Sequence, residues 1–240
     1  MGFLDKLYGI FADQFFGYQS VKTAKRILRP LKHALVGKNG IHLAMEIIAK
    51  DQHKQGKIMK TIVEVGGADG EFTFAYLKKF PAARVYFFEP QTSSFLAARK
   101  KLKRFGERVL FFKIGLFSRA SEGRLNLHPN PDRSSLTMEQ KIHIGQETIQ
   151  LERLDAIAKQ ENIGRIDFMK IDVEGVQQEV IAGAQMMLRQ TDYLLIEIWP
   201  TQNGDYSSDY LKTLSELDAL GFRLMTVLEG YDFLMKRVEK

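Results

Sequence analysis

Thr61-Ile62-Val63-Glu64-Val65 runs directly into Gly66-Gly67-Ala68-Asp69-Gly70, and a second apolar stretch, Val85-Tyr86-Phe87-Phe88, closes on Glu89-Pro90. A β-branched strand, a glycine turn, a helical interval and a second strand ending in one carboxylate form the β-α-β order that holds an adenosine. Gly66, Gly67 and Gly70 allow positive φ and let a ligand approach the main chain. Glu89 ends its strand at the carboxyl edge of the sheet, where it can accept hydrogen bonds from both ribose hydroxyls. The same residues would also suit a plain glycine turn between a core strand and a helix, with acids on the surface.

The loop reads G-G-A-D-G rather than G-x-G-x-x-G. A dinucleotide would set its pyrophosphate on this loop and on the following helix N-terminus. Glu64, Asp69 and Glu71 crowd that place. Two like charges 4 Å apart cost about 4 kcal/mol at an effective dielectric of 20. S-adenosylmethionine carries an ammonium and a sulfonium instead of phosphates, so an acid-rich loop favours it over NAD or FAD.

The placement of charge bears on partners. The formal net charge is +6. Between Asp13 and Glu46 there is no acid, and Lys22, Lys25, Arg26, Arg29, Lys32 and Lys38 account for the whole excess. The rest of the chain is near neutral, which does not indicate a nucleic-acid-binding surface. With no cysteine there is no thiolate nucleophile, no disulfide and no Cys-based zinc site. That suits a cytoplasmic protein. No secretion-signal layout is seen.

Residues 1–56 read as an N-terminal helical extension before a domain at 57–240. Phe3, Leu4, Leu7, Tyr8, Phe11, Phe15 and Phe16 recur at helical spacing, then Val21, Ala24, Ile27, Leu28, Leu31 and Leu35 on a basic helix. A third helix is expected over Ile41 to Lys50. The bland reading is a cap on the domain or a contact in a homo-oligomer. The sharper one is a peripheral membrane contact through residues 1–38, with aromatics inward and lysines toward anionic lipid.

From Thr61 strands and helices alternate. Strands are expected near 61–65, 84–89, 108–114, 166–172, 192–199, 222–228 and 231–236, and helices near 70–79, 91–105, 151–160, 174–189 and 207–220. Successive apolar strands imply an α/β fold whose parallel sheet is covered by helices on both faces. Only Glu229-Gly230 separates the last two strands, so they form a hairpin and one of them is antiparallel. A mostly parallel sheet ending in an antiparallel hairpin resembles the Rossmann-like sheet of class I methyltransferases. Between Gly115 and Gln150, Leu125-Asn126-Leu127-His128 and Ile142-His143-Ile144-Gly145 alternate like exposed strands. They suggest a small β excursion over the carboxyl edge.

Ile166-Asp167-Phe168-Met169-Lys170-Ile171-Asp172-Val173-Glu174-Gly175 is the second constellation. A buried strand delivers Asp172 and Glu174 to its carboxyl end, across the topological switch point from the glycine loop. An equally simple reading makes Asp172 a helix cap and Glu174 a partner of the helix dipole.

K-I-D-V-E-G, followed by Gln178-Glu179-Val180-Ile181-Ala182-Gly183-Ala184, resembles the hallmark segment of FkbM-type S-adenosylmethionine-dependent methyltransferases. Val63 to Gly70, Phe88-Glu89-Pro90, Ser134-Ser135-Leu136 and Leu151-Glu152-Arg153-Leu154-Asp155 fit the same pattern, over about residues 60–200. The resemblance implies that Glu64, Gly66 and Gly70 line the methionine part, that Glu89 binds the ribose, and that Asp172 and Glu174 lie at the methyl end; Gly67, Asp69, Pro90 and Asp172 complete the expected cofactor-binding set. Two positions depart from it. The family's loop has alanine then asparagine where this chain has Gly67 and Ala68, and it often has asparagine where this chain has Lys113.

The resemblance further implies O-methylation of a sugar or another small hydroxylated metabolite. The hydroxyl needs a base. Asp172 comes first, then Glu174, then His143 or His128 from the excursion. Glu197 points toward the same edge and, with Asp172, offers oxygen ligands to a divalent cation; no metal is assigned. The alternative is a non-catalytic membrane- or partner-binding protein on a methyltransferase scaffold, because fold alone does not guarantee chemistry.

Overall fold

The computed structural model describes residues 40–131, 134–136, 144–198, 208–228 and 231–238. The aromatic and basic helices expected within residues 1–38, His143 and the turn at 229–230 lie outside the described residues.

The elements follow in chain order: α1 (Gly40–Lys54), β1 (Thr61–Val65), α2 (Glu71–Lys79), β2 (Arg84–Phe88), α3 (Thr92–Leu102) and, after a short 3-10 segment, β3 (Val109–Phe112). Then come β4 (Gly115–Leu116), β5 (Ser121–Leu127), β6 (Gly145–Glu152), α4 (Leu154–Gln160), β7 (Ile166–Ile171), α5 (Gln177–Gly183) and α6 (Gln185–Leu188). The chain ends with β8 (Thr191–Glu197), α7 (Ser208–Ala219), β9 (Phe222–Leu228) and β10 (Asp232–Arg237).

Seven strands form one sheet in the order β3-β2-β1-β7-β8-β10-β9. β10 is antiparallel to both its neighbours, β8 and β9, and the other pairings are parallel. The expected terminal hairpin is therefore present, with its second strand inserted between β8 and β9. The chain turns from β1 toward β2 on one side and meets β7 on the other. This break in strand order opens a crevice at the carboxyl edge.

Alternate strand residues bury on opposite faces. Ile62, Phe87, Phe168, Tyr193 and Leu195 pack against Met45 and Ile48 of α1, Tyr76 and Leu77 of α2, and Phe95 and Leu102 of α3. Val63, Val65, Met169, Ile171, Leu194 and Ile196 pack against Leu154 of α4, Val180 and Ile181 of α5, Met187 of α6 and Leu217 of α7. Burying each large aliphatic side chain contributes about 1.5–3 kcal/mol. α1 is tied down by more than apolar contact: Asp51 accepts from the Tyr193 hydroxyl at 2.5 Å and from Lys236 Nζ at 2.6 Å. Within the expected extension, this helix therefore packs on the sheet.

Three expected elements differ at their ends. β3 stops at Phe112, and Gly115–Leu116 leaves the large sheet to pair in parallel with β6. β5 runs antiparallel to β6, giving a three-stranded sheet in the order β4-β6-β5. The expected helix at 151 starts at Leu154, because Leu151 and Glu152 finish β6. The expected helix 174–189 is two shorter ones. Glu174 and Gly175 both have positive φ, +41° and +100°, so no helix can begin there. Ala184 then breaks the run with φ −122°.

Gly183 explains how the hallmark helix sits so close. A Cβ on it would lie 2.0 Å from the Phe117 carbonyl oxygen, so only glycine lets α5 lie on the turn after β4.

Candidate active site

A cavity of about 430 Å³ opens at the carboxyl edge, between the β1 loop, the end of β2, the β7 loop and the small sheet. Gly66, Gly67, Asp69, Glu89, Pro90, Asp172 and Glu174 all line it, with Glu197 from the end of β8. The fold thus gathers at one cavity residues from strands far apart in the chain. Glu64 and Gly70 do not reach this lining.

Packing forces the loop's shape. Gly66 has φ +76°, and a Cβ on it would come within 1.8 Å of the Asp172 carbonyl oxygen. The cofactor loop and the β7 loop touch through this missing side chain. A Cβ on Gly67 would fall 2.1 Å from the Phe87 ring. That accounts for one departure from the family pattern: Phe87 fills the space an alanine would need. Gly66 and Gly67 both donate their N–H to the Phe88 carbonyl at 3.0 Å, which curls the loop toward β2.

Glu89 is buried and fixed by main chain. Its Oε2 accepts the Ala68 N–H at 2.8 Å and its Oε1 accepts the Gln91 N–H at 2.7 Å. The carboxylate is thereby fixed at the cavity lining.

The loop acids behave differently from the crowded cluster expected. Glu64 is fully buried beneath the loop, and Thr73 Oγ1 donates to it. Burial pushes its carboxyl up to about 7, against the pull of Lys170. Asp69 and Glu71 both hold Lys101 Nζ, at 2.6 and 2.8 Å. The repulsion argued against a pyrophosphate is therefore largely relieved. Glu89 and the loop geometry carry the adenosine reading instead.

The opposite wall is built on Lys170, whose role the sequence reading missed. Strand period 2 puts it on the same face as Asp172, and it pairs in register with Glu64. Its Nζ donates to Asp172 Oδ2 at 2.6 Å and lies 4.4 Å from the centroid of Phe72, a cavity residue. Burial opposes the ammonium charge, but Asp172 and Glu64 outweigh it and raise the Lys170 pKa. Burial likewise disfavours the Asp172 carboxylate. Lys170 and a hydrogen bond with Glu197 nevertheless hold that carboxyl below the usual range. Asp172, Glu174 and Glu197 each bring an oxygen within 4.8 Å of the others. Such a group can accept a proton or share a cation, and Lys170 already supplies a positive charge to it.

Of the excursion's histidines, His128 is absent from the cavity lining, and its Nδ1 accepts the Asn130 N–H at 3.0 Å. The excursion instead contributes Leu125, Ser134, Ser135, Leu136 and Ile149 to the wall. Lys113 turns away from the cavity lining to within 3.5 Å of the Glu147 carboxylate. Thr92 N–H also donates to Glu147, at 3.1 Å, which ties the small sheet to the start of α3.

The family described as the methyltransferase FkbM domain matches residues 64–224. The chain is 25% identical over 153 residues to the 2-O-methyltransferase NoeI of Sinorhizobium fredii, covering 57% of this chain and 62% of that protein. It is 28% identical over 155 residues to the hexuronic acid methyltransferase AglP of Haloferax volcanii, covering 65% of this chain and 62% of that protein. The chain thus spans under two thirds of these relatives' length. A solved structure of WbdD with the kinase inhibitor LY294002 aligns with a TM-score of 0.50 at 10% identity, over 85% of this chain and 41% of that one. That likeness concerns fold alone.

Proposed function

The chain belongs to the FkbM methyltransferase family, and we propose that it moves a methyl group from S-adenosylmethionine to a hydroxyl oxygen of a sugar or another small hydroxylated metabolite. The observation that carries this reading is the cavity across which Glu89 and the Gly66–Asp69 loop face Asp172, Glu174 and Glu197.

When bound, S-adenosylmethionine would supply an electrophilic sulfonium methyl to the acceptor oxygen, with S-adenosylhomocysteine as the leaving group. Glu89, lining the cavity at the end of β2, would accept hydrogen bonds from the ribose hydroxyls. Gly66 and Gly67 bring main chain against the methionine part. Asp172 takes the hydroxyl proton as the base, and Lys170 holds its carboxylate in place. Alignment of the two reactants can supply about 7–11 kcal/mol of the barrier reduction. The base adds about 10²–10⁴-fold. Support for a sugar-type acceptor comes from the names of the two relatives, which describe a 2-O-methyltransferase and a hexuronic acid methyltransferase.

The test is transfer of labelled methyl from S-adenosylmethionine to a panel of neutral, amino- and uronic-acid glycosides, beside non-carbohydrate alcohols. Labelled ether on a glycoside is the expected result. Transfer to the alcohols alone would replace the acceptor class; no transfer to anything would overturn the catalytic reading. The cytoplasmic placement and the contact of residues 1–38 with a membrane or a second copy are separate proposals. No described helix is long and apolar enough to cross a membrane. Flotation on anionic vesicles, with and without residues 1–38, tests the lipid contact; equal flotation would exclude it.

A further inference from the structure

Ser135 belongs to the Ser134-Ser135-Leu136 segment, to which the chemistry above gives no role. Its side chain is almost wholly buried, at 2% exposure, yet it lines the cavity. Its hydroxyl donates to the Glu174 carbonyl at 2.6 Å. Glu174 is a non-glycine residue at φ +41°, a conformation an L side chain rarely takes without help from its surroundings. Residues in such conformations collect at functional sites, where neighbours hold them.

Ser135 is itself anchored on both sides. It exchanges main-chain hydrogen bonds with Asn126 of β5, at 2.8 and 3.1 Å. The Asn126 side chain accepts from Gln146 Nε2 of β6 at 2.8 Å. Next to it, Ser134 Oγ accepts the His128 N–H at 3.1 Å. The small sheet therefore reaches the β7 loop through one hydroxyl, and it grips that loop at its left-handed residue.

We propose that Ser135 is a positioning residue for methyl transfer: its hydroxyl holds the Glu174 turn left-handed and so keeps the Glu174 carboxylate facing Asp172 and Glu197. This inference rests on the methyltransferase reading. Without the hydroxyl, Glu174 relaxes to negative φ and its side chain swings off the wall. The cofactor half, built on Gly66 and Glu89, is untouched. A second consequence concerns the small sheet. It acts as a fixed wall of the acceptor side, because releasing it would also release the turn.

The test compares Ser135→Ala, Ser135→Thr, Glu174→Ala and the Ser135→Ala/Glu174→Ala pair in the full chain. Amide hydrogen exchange at residues 174–176 is read with S-adenosylhomocysteine bound, and turnover is read as labelled methyl on the glycoside panel. Ser135→Ala should speed exchange at these amides tenfold or more and lower kcat about tenfold, with S-adenosylhomocysteine affinity within threefold of wild type. Ser135→Thr keeps a hydroxyl and should restore both. The double variant should be no slower than Glu174→Ala alone, since Ser135 acts through Glu174. Unchanged exchange in Ser135→Ala, or fully additive losses in the pair, would overturn the proposal. A wild-type chain that binds S-adenosylhomocysteine but methylates nothing defeats the catalytic reading instead, and leaves the exchange comparison to decide whether Ser135 holds the turn.

Discussion

The two walls of the cavity are made by different means. The cofactor wall is a local construction: one strand, one glycine loop and one carboxylate twenty-odd residues later, with Gly66, Gly67 and Glu89 held by main-chain hydrogen bonds. The acceptor wall is assembled from afar. Its Asp172 is held by Lys170 from the same strand and by Glu197 from β8, and its Glu174 by Ser135 from the small sheet. Local geometry makes the first wall tolerant of side-chain change except at Glu89 and where a Cβ would collide. The second wall depends on individual side chains.

The contrast can be broken most severely at Gly66. Alanine there would place a Cβ against the Asp172 carbonyl, 1.8 Å away, in a backbone conformation that also resists a side chain. Gly66→Ala should abolish S-adenosylhomocysteine binding, at least 100-fold by calorimetry, and lower the melting temperature. Near-normal affinity would show that the two loops part more easily than their contact implies.

Asp172→Asn should separate the walls. Turnover should fall by about 10²–10⁴-fold, the usual worth of a positioned base, with S-adenosylhomocysteine affinity within threefold of wild type. Retained turnover would remove Asp172 as the base. Glu89→Ala should do the reverse. Losing charge-assisted hydrogen bonds worth about 1.5–3 kcal/mol predicts roughly 10- to 150-fold weaker cofactor binding, and saturating cofactor should recover much of the rate. A kcat loss that saturation does not recover would place Glu89 in the chemistry.

A separate effect, on stability and not on binding or turnover, concerns Glu64, buried beneath the loop. Its folded pKa of about 7 stands above the ordinary 4.5. Between those values the folded state holds more protons than the unfolded one. Stability therefore falls as pH rises through that window, by about 3 kcal/mol in total. Glu64→Gln should flatten this slope and be the more stable protein at pH 8. An unchanged slope in thermal melts from pH 4.5 to 8 would assign the dependence to another group.

What the sequence made legible follows the same division. Strand cores were readable because β1, β2, β7 and β8 are apolar on both faces, and the terminal hairpin because only three residues separate β9 from β10. Gly66, Glu89, Asp172 and Glu174 were readable from strand ends alone. The departure of Gly115–Leu116 into a second sheet was not, because its parallel pairing with β6 depends on residues 36 positions away. Nor was the late start of α5, since nothing local marks Glu174 as left-handed. Lys170 stood in the hallmark segment, and strand alternation alone would have set it beside Asp172. Pairing of Asp69 and Glu71 with Lys101 needed α2 and α3 to be placed first, and it cancels the repulsion that sequence reasoning counted.

Isothermal titration of the full chain with S-adenosylhomocysteine and, separately, with NAD tests the central claim most directly. The account predicts one site per chain for S-adenosylhomocysteine, weakened in Glu89→Ala and preserved in Asp172→Asn, with no heat from NAD. Saturable binding of NAD with none of S-adenosylhomocysteine would contradict it.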